Sequence, residues 1–113
     1  MTRSPITTHV LDTSIGRPAR GVAVTLERVD GAARVIAQGK TNDDGRVADL
    51  LAPGSLEAGT YRITFATGPY FAERKVDCFY PEVSIVFTID APSEHYHVPL
   101  LLNPYGYSTY RGS

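Results

Sequence analysis

The feature that most constrains this chain is a recurring period of two. Val22, Val24 and Leu26 alternate with Ala23, Thr25 and Glu27. Tyr61, Ile63 and Phe65 alternate with Arg62 and Thr64, and Val83, Ile85, Phe87 and Ile89 repeat the pattern. Successive residues of an extended strand face opposite ways, so each run fits a strand with one face in a core. Residues 6–11, 21–29, 34–40, 46–50, 60–66, 82–90, 95–102 and 105–110 read as short strands. Gly16 and Pro18 mark a loop over 13–20, Asp30-Gly31 a tight hairpin, and Asp43-Asp44-Gly45 a turn. Residues 53–59 read as loop, and Asn103-Pro104 joins the last two strands. The 8 Pro and 10 Gly are spread along the chain, which opposes long helices. Only residues 70–76 read as helix, and a short one. About eight strands with turn signals at nearly regular spacing predict an all-β, two-sheet sandwich.

A chain of 113 residues suits one domain, spanning 1–113. Its 11 Lys and Arg against 12 Asp and Glu give a net charge of −1, so no footprint for nucleic acid or an anionic membrane is present. A hydrophobic content of 42% with 7 Tyr and 4 Phe excludes a disordered chain. No apolar run approaches the ~18 residues of a membrane helix. The single cysteine, Cys78, cannot form an intrachain disulfide and reads as a small buried hydrophobe. Residues 1–6 lack the pattern of a secretory signal, and Arg111-Gly112-Ser113 is not a peroxisomal address, so a cytosolic location is expected.

The chemistry-bearing residues are few. Period-two geometry puts His95 and His97 on one face of their strand, with Pro99 and Leu101 beyond them. His9 and Leu11 lie opposite Val10 on the first strand, and Arg46 opens another strand directly after a turn. No metal-finger spacing, nucleophile elbow or phosphate loop is present. Each of these residues has an ordinary reading as well: a surface or satisfied core histidine, a solvated arginine, tyrosines that only pack. Three histidines, two of them one residue apart on a strand, also admit a zinc reading, ranked low because no second shell is visible. Yet a face of His, Pro and Leu that supplies no core residue makes little sense in solvent. It makes sense lining a narrow cleft between subunits.

Four segments carry a resemblance. They are Thr7-Thr8-His9-Val10-Leu11-Asp12-Thr13 with Gly16-Arg17-Pro18-Ala19, Thr41-Asn42-Asp43-Asp44-Gly45-Arg46, Phe79-Tyr80-Pro81-Glu82-Val83, and Tyr96-His97-Val98-Pro99-Leu100-Leu101-Leu102 continuing through Pro104 to Ser113. Together they resemble the transthyretin-related proteins, and within them the 5-hydroxyisourate hydrolases. Tyr110-Arg111-Gly112-Ser113 is the most specific item, because it looks like the tetrapeptide that separates the hydrolases from the hormone-binding transthyretins. Asn103 departs from the Ser more usual before that Pro, with little expected consequence.

The resemblance implies a two-sheet sandwich with one short helix between the fifth and sixth strands. It implies a homotetramer, a dimer of dimers, around a central channel whose mouths are the active sites. The implied reaction opens a ring of 5-hydroxyisourate by hydrolysis of a cyclic amide, giving 2-oxo-4-hydroxy-4-carboxy-5-ureidoimidazoline, without cofactor or metal. His9, Arg46, His97 and Ser113 are the implied catalytic residues. His9, Arg46, Tyr110, Arg111 and Gly112 are the implied substrate-binding ones. Either His97 or His9 activates water, while the other orients water or protonates the leaving nitrogen. Arg46 polarises the ring carbonyls, and Ser113 offers a hydroxyl and a carboxylate. His95 falls outside the motif and reads as peripheral, so His95→Ala should be nearly wild type. A neutral base predicts a rate that falls below a pH of about 6 to 6.5. A small-ligand carrier and a purely structural sandwich are the other readings; neither needs these histidines, the arginine or the closing tetrapeptide.

Overall fold

The computed structural model describes residues 4–113; of the N-terminal stretch read for a signal, residues 1–3 lie outside it. Nine strands and one helix follow the chain: β1 (Ile6–Asp12), β2 (Arg17–Pro18), β3 (Ala23–Arg28), β4 (Arg34–Lys40), β5 (Arg46–Val47), β6 (Gly59–Phe65), α1 (Thr67–Glu73), β7 (Val83–Ile89), β8 (Tyr96–Asn103) and β9 (Gly106–Thr109). One sheet runs β2-β1-β8-β9, with β5 also on β1; the other runs β4-β3-β6-β7. The expected two-sheet sandwich is therefore the fold, with the helix between β6 and β7. Its core is where the alternation puts it. Val22, Val24, Leu26, Ile63, Phe65, Val83 and Ile89 from one side meet Ile6, Val10, Leu100 and Leu102 from the other. Each buried side chain of this size contributes roughly 1.5–3 kcal/mol.

Local differences have local causes. Arg17 and Pro18, read as loop, form β2 by pairing with Asp12 and Leu11, which makes nine strands rather than eight. The Asp30-Gly31 connection is wider than a two-residue turn. Its geometry is set from outside, by the Arg28 guanidinium bonded to Asp30 (2.8 Å), Glu57 (2.6 Å) and the Ala58 carbonyl (2.8 Å). The strand expected over 46–50 stops at Val47. Cys78 is only partly buried, packed against the core edge.

The helix starts at Thr67, three residues before the expected 70–76. Pro69 lies in the first turn, where a missing N–H costs no hydrogen bond. Thr67 fixes the start by donating its hydroxyl to the Tyr80 carbonyl (2.6 Å). Lys75, at φ 59°, and the Val76 amide bonded back to Phe71 (3.0 Å) close the other end. Tyr70 then docks the helix on β1 by donating to Asp12 (2.7 Å). Burial, helped by the Asp12 charge, pushes the Tyr70 phenol up to about 12, so it remains a donor.

Candidate active site

The outward face of the first sheet collects the sequence-predicted residues. β1 runs parallel to β8, with Thr7 opposite His97 and His9 opposite Pro99. β5 runs antiparallel on the other side of β1, with Arg46 opposite His9. Directly paired residues share a face and diagonal neighbours stay within reach of long side chains. Arg46, His9, Thr7 and His97 thus form one continuous patch across three strands, and His9 and His97 are both half-buried.

Arg46 reaches this place through its turn. Asn42 Oδ1 accepts the amides of Asp44 (2.9 Å) and Arg46 (3.0 Å), and the Gly45 carbonyl accepts the Val10 amide (2.7 Å). Gly45 sits at φ +73°, and a Cβ there would run into the Val10 carbonyl oxygen. Only glycine tolerates both. Gly45→Ala is expected to lose more than the roughly 1–2 kcal/mol of a left-handed side chain, because the clash adds to it. Thermal unfolding should show a midpoint lower by about 5 °C or more. An unchanged midpoint would mean that the turn relaxes freely.

Electrostatics follow from the patch being cationic. The His97 imidazole is held below its ordinary pKa of 6.5, by burial first, then by Arg46, His9 and His95; a backbone hydrogen bond at Thr7 pulls the other way. His9 is likewise lowered by burial and then Arg46, against a backbone hydrogen bond and the charge of Asp44. Both rings are therefore neutral at pH 7, as a proton acceptor must be. Among the described residues no three or more His, Cys, Asp or Glu side chains are arranged to hold a metal ion.

The segment after β9 treats its residues differently. The β8–β9 ladder pairs Leu100 with Thr109, is interrupted where Pro99 has no N–H to give, and resumes as a bridge of His97 to Gly112 in the same register. Residues expected to lie past the ladder are thus still on it: the Gly112 amide donates to the His97 carbonyl (2.8 Å). Gly112 lies so close to the imidazole that a Cβ would stand 2.5 Å from His97 Cδ2. Tyr110, exposed, lines a cavity of about 320 Å³ with His97, Ile85 and Phe87. Ser113 lines a shallower one beside His95. Arg111 lines both cavities, the first with Tyr110 and His97 and the second with His95, Gly112 and Ser113. Alternation turns it to the Tyr96 side, where its guanidinium lies 4.4 Å from the ring centroid and 3.0 Å from Glu94.

With this arrangement in view, the sequence model of the HIUase/Transthyretin family matches residues 6–112. The chain belongs to that family. The mouse 5-hydroxyisourate hydrolase is 46% identical over 113 residues, covering 97% of this chain and 96% of the relative. The solved Klebsiella pneumoniae 5-hydroxyisourate hydrolase superimposes with a TM-score of 0.84 at 40% identity, over 96% of this chain and 98% of that one. Sea bream transthyretin, solved in complex with thyroxine, gives a TM-score of 0.89 at 31% identity over 96% and 95%. Hydrolases and a thyroxine-bound transthyretin thus share this fold, and the fold alone does not separate them.

Two residues of this family member gain a place that sequence reading did not give them. Thr7 Oγ1 lies 2.8 Å from His97 Nδ1 and 3.0 Å from His95 Nε2. His95, read as peripheral, is part of the cluster. The alternation that put it on the face of His97 was the available signal. Thr7 needed the parallel pairing of β1 with β8, which no local pattern encodes.

Proposed function

We propose that this protein hydrolyses 5-hydroxyisourate to 2-oxo-4-hydroxy-4-carboxy-5-ureidoimidazoline in purine catabolism. The single observation that carries the reading is the union of His9, Arg46 and His97 on one sheet face, in a chain 46% identical to a 5-hydroxyisourate hydrolase. A carrier has no use for two neutral imidazoles beside a guanidinium.

Hydrolysis of a cyclic amide needs a water made nucleophilic, a polarised carbonyl and a proton for the leaving nitrogen. His97 is the base. With Nδ1 engaged at Thr7, its Nε2 is the nitrogen that takes the proton from water as oxygen attacks the ring carbonyl. Arg46 donates to that carbonyl and stabilises the developing oxyanion through its planar fork. The carbon–nitrogen bond then breaks as the proton held on His97 passes to the departing nitrogen, with His9 orienting the reacting water, and the new carboxylic acid ionises to carboxylate by giving water's second proton to solvent. Tyr110 and Ser113 flank the substrate, and Gly112 backs His97. Arg111, which lines the same cavity as Tyr110 and His97, binds the substrate there and is anchored by Glu94 and Tyr96. No cofactor takes part.

The protein acts as a homotetramer, a dimer of dimers, in the cytosol. Support for assembly comes from the sheet edges: β7 and β9 are each the last strand of their sheet, and Val86 and Tyr107 on them are exposed at 58% and 43%. Unpaired edges with apolar side chains favour pairing with a second copy. Among the described residues no helix is long and apolar enough to cross a membrane.

The test is ultraviolet decay of 5-hydroxyisourate generated fresh with urate oxidase. Acceleration over buffer at micromolar protein is expected; decay at the buffer rate would leave the carrier reading. Light scattering checks the tetramer.

The pH profile carries its own prediction. A base lowered below 6.5 keeps its lone pair at pH 7 and loses it only on stronger acidification. The rate should hold level from about pH 8 down through the ordinary imidazole value and fall below it. In Arg46→Ala the residual rate should fall at higher pH, since a cation that depresses the imidazole is gone. A wild-type fall centred above about 6.5 would contradict a depressed base.

A further inference from the structure

Thr7 Oγ1 stands between two imidazoles, 2.8 Å from His97 Nδ1 and 3.0 Å from His95 Nε2. A hydroxyl carries one proton, so it can donate to one ring only. With the hydroxyl proton between the rings, two arrangements satisfy both contacts; a third, in which both rings donate to the two lone pairs of the oxygen, leaves the hydroxyl proton to be accepted elsewhere. In the first, Thr7 donates to His95 Nε2 and accepts the Nδ1 proton of His97, which leaves His97 Nε2 with its lone pair. In the second, His95 Nε2 carries the proton, Thr7 turns round to donate to His97 Nδ1, and neutral His97 must hold its proton on Nε2. Of the two that place the hydroxyl proton between the rings, only the first makes Nε2 a base. It also serves the imidazolium that catalysis creates, because the Nδ1 proton stays on an accepting oxygen while Nε2 fills.

We propose that Thr7 and His95 are positioning residues that select the basic tautomer of His97, with His95 Nε2 as the acceptor that keeps the Thr7 hydroxyl turned the right way. The proposal rests on the hydrolase reading and on His97 as its base. It assigns no contact between Thr7 or His95 and the substrate. Atoms balance simply: the water proton moves to His97 Nε2, and no proton crosses Thr7.

Arg46 comes from β5, His9 from β1 and His95 from just before β8, and the charges of all three act on His97. Asp44 offsets part of this at the His9 end. Glu94 lies beside His95 and is ion-paired with Arg111 at 3.0 Å, and Ser113 lines the same cavity.

The experiment combines steady-state kinetics across pH with nitrogen-15 NMR of the imidazoles in the intact protein. Wild-type His97 should show a protonated Nδ1 and an unprotonated Nε2 at pH 7.5. Thr7→Val should lower kcat about 10- to 100-fold, the scale of one hydrogen bond to a charged group, with KM changed less than about 3-fold, and should mix the two tautomers. Thr7→Ser, which keeps the hydroxyl, should recover most of the rate. His95→Ala should lower kcat about 10-fold. His95→Gln, whose carbonyl accepts the Thr7 proton and cannot be protonated near neutrality, should recover most of that loss and simplify the acid limb. Wild-type His97 protonated on Nε2, or Thr7→Val with full kcat, overturns the proposal. So does His95→Ala with unaltered rate and pH profile. A Thr7→Val protein that fails to fold leaves Thr7→Ser, His95→Ala and His95→Gln to decide. The tautomer is read without substrate, and a wild type that does not accelerate substrate decay marks failure of the hydrolase reading separately.

Discussion

Changing His97 to alanine is expected to lower hydrolysis at least ~100-fold, and changing His9 to do the same, the usual loss when a positioned acid–base group is removed. Both variants should still fold and keep the assembly of the parent protein. The reason lies in the alternation. His9 and His97 occupy the outward positions of β1 and β8, while Thr8, Val10, Val98 and Leu100 between and beyond them are buried. Truncating the imidazoles opens no cavity in the sandwich. The loss should fall on kcat, because the groups act on the transition state rather than on bound substrate. Circular dichroism and light scattering on the variants guard against trivial inactivity. A folded His97→Ala protein within tenfold of wild type would remove His97 as the base and leave His9 to take that place.

The parts of this fold that were legible in the sequence are those governed by local periodicity. Val24-Leu26 and Ile63-Phe65 bury the residues their alternation assigns, and over Val83-Ile89 the two ends are buried while Ile85 and Phe87 are partly so, because a half-buried strand admits only one register of inward side chains. The two-residue strand at Arg17 was invisible, since pairing with β1 across a turn makes it a strand and nothing in Arg-Pro does. The helix start at Thr67 was hidden by Gly68-Pro69, whose cost vanishes in a first turn. At the site, the faces of His9 and His97 could be read, but their nearness could not. It follows from a parallel β1–β8 pairing that joins residues about ninety positions apart. The same pairing brings Thr7 to His97. Arg111 is named as a substrate contact by the resemblance alone; its place beside Tyr96, His97 and Tyr110 depends on the bridge of His97 to Gly112, which no local pattern encodes.

Deleting residues 110–113 is expected to abolish hydrolysis while the protein still folds and keeps the assembly of the full chain. β9 keeps its pairing from Gly106 to Thr109, and the Thr109 hydroxyl still donates to the Pro99 carbonyl at 2.7 Å. None of Tyr110, Arg111, Gly112 or Ser113 belongs to the core. What the deletion removes is the Gly112 amide on the His97 carbonyl and the backbone that walls one side of the imidazole. A ring free to swing loses the near-attack geometry, and about 1 Å of misplacement costs on the order of 100-fold. Gly112→Ala isolates that effect with a single methyl group. Its Cβ would stand 2.5 Å from His97 Cδ2 and 3.2 Å from His97 Cβ, so the ring must move while the rest of the segment stays. No left-handed backbone complicates the comparison, since Gly112 is not among the residues with positive φ. Kinetics and size-exclusion on both proteins decide between roles. Full activity in the truncated chain would sink the functional role. Loss of assembly in the truncated chain, with Gly112→Ala active, would make the segment a structural element instead. Both proteins folded, assembled and slow would tie the segment to the orientation of His97.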